Sequence, residues 1–439
     1  MKKSITNWNN FPVVEASEIS FDFQKDLVVK LAHSSIPHGN GRCYGDASLY
    51  SDVINTLRFD KILAFDEYAG TITCQSGVLL SDLLQIIVPR GWFLPVTPGT
   101  KFITVGGAVA SDVHGKNHHV DGAFSNQIVS MSVLTGTGEA LVCNKNTNTE
   151  LFWATCGGMG LTGVILEVKF LLKRIQSAYI RQKQIKAANL DEVMNLFDQN
   201  TESMYSVAWI DCLKSGKHFG RSILMLGEHA GTDETPAEKK LLAREKSLLT
   251  IPFHFPSFVL NSYAVKIFNA LYYAKNYKRE ISNVVHYDGF FYPLDSILEW
   301  NKIYGKKGFV QYQFVLPLEA SKEGLKDILT RISKMGMGSF LAVLKLFGEQ
   351  NDLISFPMKG YTLALDFPIR PGLFEFLDEL DRVVAGYGGR IYLSKDARMK
   401  KEIFWETYPH AREFQEILKK YDPQNRFNSN LSQRLMLKF

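Results

Sequence analysis

Thr97–Ala123, TPGTKFITVGGAVASDVHGKNHHVDGA, is the stretch around which the chain is organised. Pro98, Gly99, Gly106, Gly107, Gly115 and Gly122 give it a backbone that can come close to a flat or phosphorylated group. His114, Lys116, His118 and His119 lie between the glycines, polar side chains for which a plain loop has little use. Read alone, the stretch also fits an ordinary glycine-rich connection with incidental histidines. A second glycine loop upstream tips the balance.

That loop is Ile36–Ser48, IPHGNGRCYGDAS, punctuated by Gly39, Gly41 and Gly45 and charged by Arg42 and Asp46. Successive backbone N–H groups in such a loop hold an anion such as a pyrophosphate. No GK[ST] follows, and no G-x-G-x-x-G opens a helix, so it is neither a Walker nor a Rossmann loop; a plain turn between strands remains the alternative. A third loop, CGGMGLTG, runs into an apolar strand, Val164 to Leu172. Between the loops, 61–77 and 128–144 read as hairpins. Residues 78–88 have helical spacing stopped by Pro89 and Gly91, and 149–155 read as a short helix. Three backbone-approach loops at strand ends suggest one long ligand threaded past them all, and a dinucleotide has that length.

With 439 residues, 46% of them hydrophobic and 22% charged, the chain is globular. It is long enough for a two-lobed enzyme whose core needs no disulfides. A net charge of +5 without a Lys/Arg run argues against nucleic-acid binding. Cys43, Cys74, Cys143, Cys156 and Cys212 are odd in number and scattered, with no C-x-x-C, which predicts neither a zinc site nor a disulfide framework and points to a reducing compartment. His114, His118 and His119 lack carboxylates at matching spacing, so no metal is expected. The MKK start is followed by no apolar run, and no window approaches the ~18 apolar residues of a membrane span. A location in the cytoplasm or peripheral to the inner membrane is expected.

The character changes near Lys173–Ser177. Asn189 caps an amphipathic helix with Leu190, Val193, Met194 and Phe197 on one stripe. Strands such as YSVAWIDCL, FVQYQFVLP and YTLALDFPI then alternate with helices at 321–334 and 373–385, which predicts a mostly antiparallel sheet covered by helices. Residues 251–285 are rich in Phe, Tyr and Leu and carry Lys266, Lys275, Lys278 and Arg279. They read either as an ordinary amphipathic helix with loops or as a membrane-facing flap. The expected fold class is α+β, with a first domain at 1–174, an inserted domain at 175–389 and a tail at 390–439 returning to the first.

PHGNGRCYGD, TPGT…TVGGAVASDVHGKNHH and GGMGLTG before an apolar strand together resemble the flavin domain of the vanillyl-alcohol-oxidase family, the PCMH-type FAD-binding fold. YSVAWID, EWNKIYGKKGFVQYQFVLP, LKLFG, SFPMKGYTLALDFPI and RIYLSKDAR narrow the resemblance to the branch that oxidises polyprenyl-phosphoryl ribose. The matches run from about Pro37 to the C-terminus. The resemblance implies that Pro37, His38, Gly39, Asn40, Gly41, Arg42, Cys43, Tyr44, Gly45, Asp46 and Ala47 cradle the FAD pyrophosphate. Gly99, Thr104, Val105, Gly106, Gly107, Ser111, Asp112, Val113 and His114 would line the flavin. Val164 would meet the adenosine side, and Tyr392 would close the pocket from the tail. Two departures matter. Arg42-Cys43 stands where many relatives carry a histidine tethered to FAD, which implies non-covalent FAD. Ala364 stands where mycobacterial members carry the cysteine trapped by nitro-aromatic inhibitors, so that covalent mode should be lost.

The implied reaction converts the 2′-hydroxyl of a polyprenyl-phosphoryl-β-D-ribose to the 2′-keto sugar. It is the first half of an epimerisation to the arabinose donor for cell-envelope polysaccharide, completed by a short-chain dehydrogenase/reductase partner. Such an oxidation needs a hydride acceptor and a group to take the hydroxyl proton, and the protein supplies position and charge. By the resemblance Lys395 contacts both flavin and substrate hydroxyl. Lys345 is a lone lysine in an apolar strand, costly to bury unpaired, and is assigned to substrate phosphate or hydroxyls. Gln311 and Gln313 share one strand face, suited to sugar hydroxyls or to solvent. Lys116, Tyr304, Thr362 and Ala364 complete the expected substrate pocket. The catalytic set is thus Lys395, His114 and Lys345, with the base either Lys395 at a lowered pKa or His114. An alditol or aldonolactone oxidoreductase of the same family is the alternative, and a non-catalytic flavin-binding scaffold a third.

Overall fold

Strands of the computed structural model, which describes residues 2–30, 34–235, 240–243, 249–256, 259–350 and 353–438, build sheets of four, five and eight strands and two short pairs. In the four-stranded sheet, Ile36–His38 and Val13–Ser20 flank Asp52–Asn55 in parallel, so the Gly39–Ala47 loop leaves the end of an edge strand. The five-stranded sheet is antiparallel. The hairpins Ile62–Asp66/Thr71–Gln75 and Ile128–Thr135/Ala140–Cys143 sandwich Gly163–Leu171. The third glycine loop enters that central strand at Gly163, where φ is +149° and an added Cβ would come 2.3 Å from the Leu134 carbonyl oxygen, an approach open only to glycine.

The organising stretch is not wholly a loop. Val105–Ala110 is a short helix, because Thr104 is a good N-cap whose Oγ1 accepts from Gly107 N at 3.1 Å, and Val105, Ala108 and Val109 are buried. The role of Gly106 is local: a Cβ there would lie 2.8 Å from Ser76 Cβ, so its close approach is to protein.

The eight-stranded sheet is antiparallel throughout. Its order is Glu280–His286, Tyr179–Ala187, Ser222–His229, Tyr205–Ile210, Ala342–Phe347, Gly360–Pro368, Phe309–Pro317 and Arg390–Ile391. Helices Leu190–Asp198, Leu318–Met335 and Leu373–Gly386 pack on one face. As expected, Asn189 caps the first of them, accepting from Glu192 N at 2.9 Å. Residues 251–285 differ from a helix with loops. Asn261 caps a helix at Ser262–Lys275, and the alternating EISNVVH that follows is the edge strand Glu280–His286. The helix buries Val265 and Asn269 and leaves Tyr263, Ile267 and Leu271 exposed. Among the described residues, no helix is long and apolar enough to cross a membrane.

After Arg390–Ile391 the tail runs alongside the first glycine loop. Tyr44 N donates to Ser394 O at 3.0 Å and Asp46 N to Asp396 O at 3.4 Å. Gly45 permits this contact, since a Cβ there would lie 1.8 Å from Asp396 O. Arg434, from the final helix Asn430–Arg434, pairs with Asp46 at 2.9 Å and Asp396 at 2.8 Å. Further along, Ser35 exchanges backbone hydrogen bonds with Arg426 and Asn428.

Removing Arg434 leaves two buried carboxylates facing each other. Arg434→Met is expected to cost about 3–5 kcal/mol in urea denaturation of the apoprotein, with Arg434→Lys between it and wild type. A loss below about 1 kcal/mol would contradict this account of the tail.

Candidate active site

A cavity of about 930 Å³ runs from the first glycine loop, past Thr97–His114, to the eight-stranded sheet, where Tyr272 of the helix Ser262–Lys275 packs on Trp209. That is near the upper end for small-molecule sites, ~300–1,000 Å³. Of the first loop, Pro37, Gly39, Asn40, Gly41, Arg42, Cys43, Tyr44 and Ala47 line it. Asn40 Nδ2 ties the loop to Phe102 O at 2.7 Å, and the Arg42 guanidinium lies 4.0 Å over the Trp8 ring. Gly99, Thr104, Gly106, Gly107, Ser111, Val113 and His114 line the middle. Lys116, Gln311, Gln313, Lys345, Ala364, Tyr392 and Lys395 line the sheet end.

Eight residues expected at the site lie behind its walls. His38 Nδ1 meets Ser48 O at 2.9 Å. Gly45 and Asp46 face the tail, and Val105 is core. Val164 is buried in a small cluster with Phe21 and Phe427, while its neighbours Gly163 and Ile165 line the cavity. Asp112 accepts from Ser125 N at 2.9 Å and Ser355 Oγ at 2.6 Å, holding the segment beside His114. Tyr304 stacks on Phe309 at 4.0 Å and donates to Asp366 Oδ2 at 3.0 Å, which places it behind the pocket rather than in it. Thr362 Oγ1 accepts from Gln313 Nε2 at 3.2 Å and so positions Gln313.

Other residues carried little sequence signal. Asn7 and Asn9, flanking Trp8, are buried and hold the first loop through Gly45 O at 2.7 Å and Tyr44 O at 3.0 Å. Two asparagines around a tryptophan near the start were the available hint. Asp366, in YTLALDF, accepts from Gln311 Nε2 at 2.7 Å as well as from Tyr304. Burial pushes its carboxyl up to about 6.

The electrostatics are dominated by cations. Burial lowers Lys116 to about 7 and Lys345 and Lys395 to about 8. Among the described residues none of the three forms an ion pair with a carboxylate. Lys116 Nζ donates to Phe290 O and sits 4.2 Å over the Phe290 ring, and Lys395 Nζ sits 3.7 Å over Tyr44. Burial, and then Lys345, hold His114 well below the usual imidazole range, so it is neutral. Gln313 Nε2 lies 3.0 Å from His114 Nε2. His118 and His119 turn away, to Gln350 and Ser203 O. Amides on one strand face, a neutral imidazole and three unpaired ammonium groups make a site for a polar ligand carrying negative charge.

Residues 28–144, which include the first two glycine loops, match the family described as FAD binding domain. The decaprenylphosphoryl-beta-D-ribose oxidase of Mycolicibacterium smegmatis is 38% identical over 453 residues, spanning 99% of this chain and 98% of its own. The chain belongs to the vanillyl-alcohol-oxidase (PCMH-type) FAD-binding family. An uncharacterized protein in the mprA 5′ region of Streptomyces coelicolor is 32% identical over 374 residues, 82% of this chain and all of its own. The L-gulonolactone oxidase of Mus musculus is 21% identical over 394 residues, 85% of this chain and 83% of its own. FAD is the cofactor of this family, and the cavity suits it. Gly41, with φ +58°, and Gly99, with open space where a Cβ would be, bring backbone to the wall. Ser76 Oγ, Thr97 Oγ1 and His114 Nδ1 are buried at the wall with no partner among the described residues. They are polar atoms left for a ligand to satisfy.

The lowered lysines fix a pH dependence. Their folded values lie below the ordinary 10.5. The unfolded chain therefore binds more protons than the folded protein between about pH 7 and 10.5, and stability is expected to rise with pH across that window. An anion in the cavity pulls the values back up. Binding of a phosphate ester at pH 8 is therefore expected to take up protons, measured by calorimetry in buffers of different ionisation enthalpy, and Lys116→Met and Lys345→Met each reduce the uptake. Proton release on binding would contradict the assignment.

Proposed function

We propose that the protein oxidises the 2′-hydroxyl of a polyprenyl-phosphoryl-β-D-ribose to the 2′-keto sugar, using non-covalent FAD. The observation that carries this reading is the set of three buried lysines, none in an ion pair among the described residues, in the cavity that the Gln311/Gln313 strand face and the FAD-matching loops also line. The similarity to the Mycolicibacterium smegmatis oxidase supports the choice of substrate. Arg42 and Cys43 provide no imidazole for a tether in the first loop, which supports non-covalent binding.

When bound, FAD would supply the acceptor for the hydride of the carbinol carbon. The chain supplies the rest. Lys395, lowered to about 8, takes the hydroxyl proton in its neutral form, a minority near pH 7 that grows as pH rises through 8, whereas His114 is too weak a base to compete. His114 and Gln313 hold sugar oxygens, and Lys345 and Lys116 meet the phosphate. Tyr392 donates to Ser111 O at 2.8 Å and stacks on Phe356 at 4.5 Å, which fixes the wall behind His114.

On this reading the divisions at 174 and 389 separate a flavin-holding part from an inserted substrate part, with the tail returning Lys395 to the flavin side. A short-chain reductase completes the epimerisation. The exposed Tyr263, Ile267 and Leu271, with Lys266 and Lys275 on the same helix, form the membrane-contacting face. Ile267→Asp with Leu271→Asp is expected to weaken sedimentation with anionic liposomes several-fold; unchanged sedimentation would remove that contact.

The test of function is anaerobic mixing with polyprenyl-phosphoryl ribose while flavin absorbance is followed. Bleaching is expected, slowed about 10²–10⁴-fold in Lys395→Met. Bleaching by alditols or aldonolactones but not by the ribosyl lipid would replace this reading with the alternative one.

A further inference from the structure

The hydrogen bonds around Gln313 have a direction, and Thr362, on the neighbouring strand, sets it. Thr362 Oγ1 donates to Phe314 O at 2.8 Å, which commits its one proton. That oxygen is then left to accept, and it accepts from Gln313 Nε2 at 3.2 Å. The second proton of the same Nε2 goes to His114 Nε2, 3.0 Å away. Turned over, the amide would set its carbonyl oxygen against the Thr362 oxygen, lone pair to lone pair. Thr362, Gln313 and His114 are all buried, so no solvent relieves such a clash.

An imidazole nitrogen that accepts a hydrogen bond carries no proton. His114 is neutral, held so by burial and then by Lys345. Its single proton therefore lies on Nδ1, since the bond made by one ring nitrogen decides the state of the other. Nδ1 is buried and has no partner among the described residues, and His114 lines the cavity. The ring packs among Phe347, Phe356 and Tyr392, with centroids 4.7, 5.6 and 5.1 Å away. The Tyr392 hydroxyl is spent on Ser111 O. The ionisable groups acting on the ring are Lys345, His118 and Lys395, none of them a carboxylate that could take the Nδ1 hydrogen bond. A buried donor in this position is completed by a ligand.

We infer that Thr362 and Gln313 fix His114 as its Nδ1–H tautomer, so that it donates a hydrogen bond from Nδ1 to the carbinol oxygen as that oxygen gives up its proton. The choice of oxygen rests on the substrate reading above; the tautomer does not. The labour is then divided. Lys395 accepts the proton, and His114, a donor on its cavity side, steadies the charge left on oxygen. Thr362 and Gln313 are positioning residues that act through the imidazole.

The test is nitrogen NMR of the FAD-loaded protein labelled with ¹⁵N-histidine, in which ring-nitrogen shifts report the tautomer and His114→Gln assigns the signals among the ten histidines. The wild type is expected to show a protonated Nδ1 and a bare Nε2. Gln313→Glu, whose carboxylate accepts, is expected to move the proton to Nε2, and the nearly isosteric Thr362→Val to let the amide turn and populate both forms. Flavin bleaching by polyprenyl-phosphoryl ribose then separates the two nitrogens, because an asparagine amide nitrogen falls where Nδ1 stood and a glutamine one where Nε2 stood. His114→Asn is expected to bleach within about tenfold of the wild-type rate, and His114→Gln about 10²–10³-fold slower. A protonated Nε2 in the wild type, a proton that stays on Nδ1 in both Gln313→Glu and Thr362→Val, or equal slowing in the two His114 variants overturns the inference. An Nδ1–H tautomer that those variants shift, in a protein whose flavin the ribosyl lipid does not bleach, upholds the tautomer and rejects the ribose substrate instead.

Discussion

The site depends on one clasp. Arg434 sits between Asp46 of the first glycine loop and Asp396 of the tail, and both carboxylates are almost wholly buried. Burial works against the Asp396 charge, but Arg434 and Arg398 together hold it below the usual carboxylate range. Arg398 is anchored in turn to Asp378 and Asp381 at 2.9 and 2.7 Å. The clasp brings the two backbones so close that only glycine fits at position 45. Lys395 lies between Ser394 and Asp396, the two residues bound to the loop, and so is held over Tyr44. A group some 350 residues distant in sequence becomes part of the same wall as the loop.

The clasp fixes one of three buried lysines, and other contacts fix the remaining two. Lys116, Lys345 and Lys395 are a cost to the ligand-free protein, since burial disfavours each charge, and only Lys395 has a carboxylate, Asp366, near enough to offset part of it. A soft site would relieve the cost by turning the ammonium groups to solvent. Here the strand register fixes Lys345, the tail fixes Lys395, and the Phe290 carbonyl and ring fix Lys116. The charge is therefore kept in place for an anion, and electrostatic preorganisation of this kind avoids reorganisation when the reaction occurs.

Much of this was legible in the sequence where a local rule applied. The hairpin at 61–77, the Asn189 cap and the shared face of Gln311 and Gln313 follow from turn chemistry, capping and period two. The glycine loops and the lysines at 116, 345 and 395 were likewise readable, and the cavity lining includes them. The misses have physical causes. GGAVA reads as a loop by its glycines, yet Thr104 caps it and tertiary burial makes it helical. Glu280–His286 is an edge strand whose pattern was masked by the aromatic helix before it. Tyr304 carries a polar tip that sequence alone aims at a ligand, but Asp366 takes it.

The claim on which the rest turns is that loop and tail form one flavin site. A crystal structure of the FAD-loaded protein tests it most directly. The account predicts the pyrophosphate against the Gly39–Ala47 backbone and the flavin ring beside Lys395 and His114, with no covalent bond to any side chain. A flavin seated away from Lys395, or one bonded to a histidine, would contradict it.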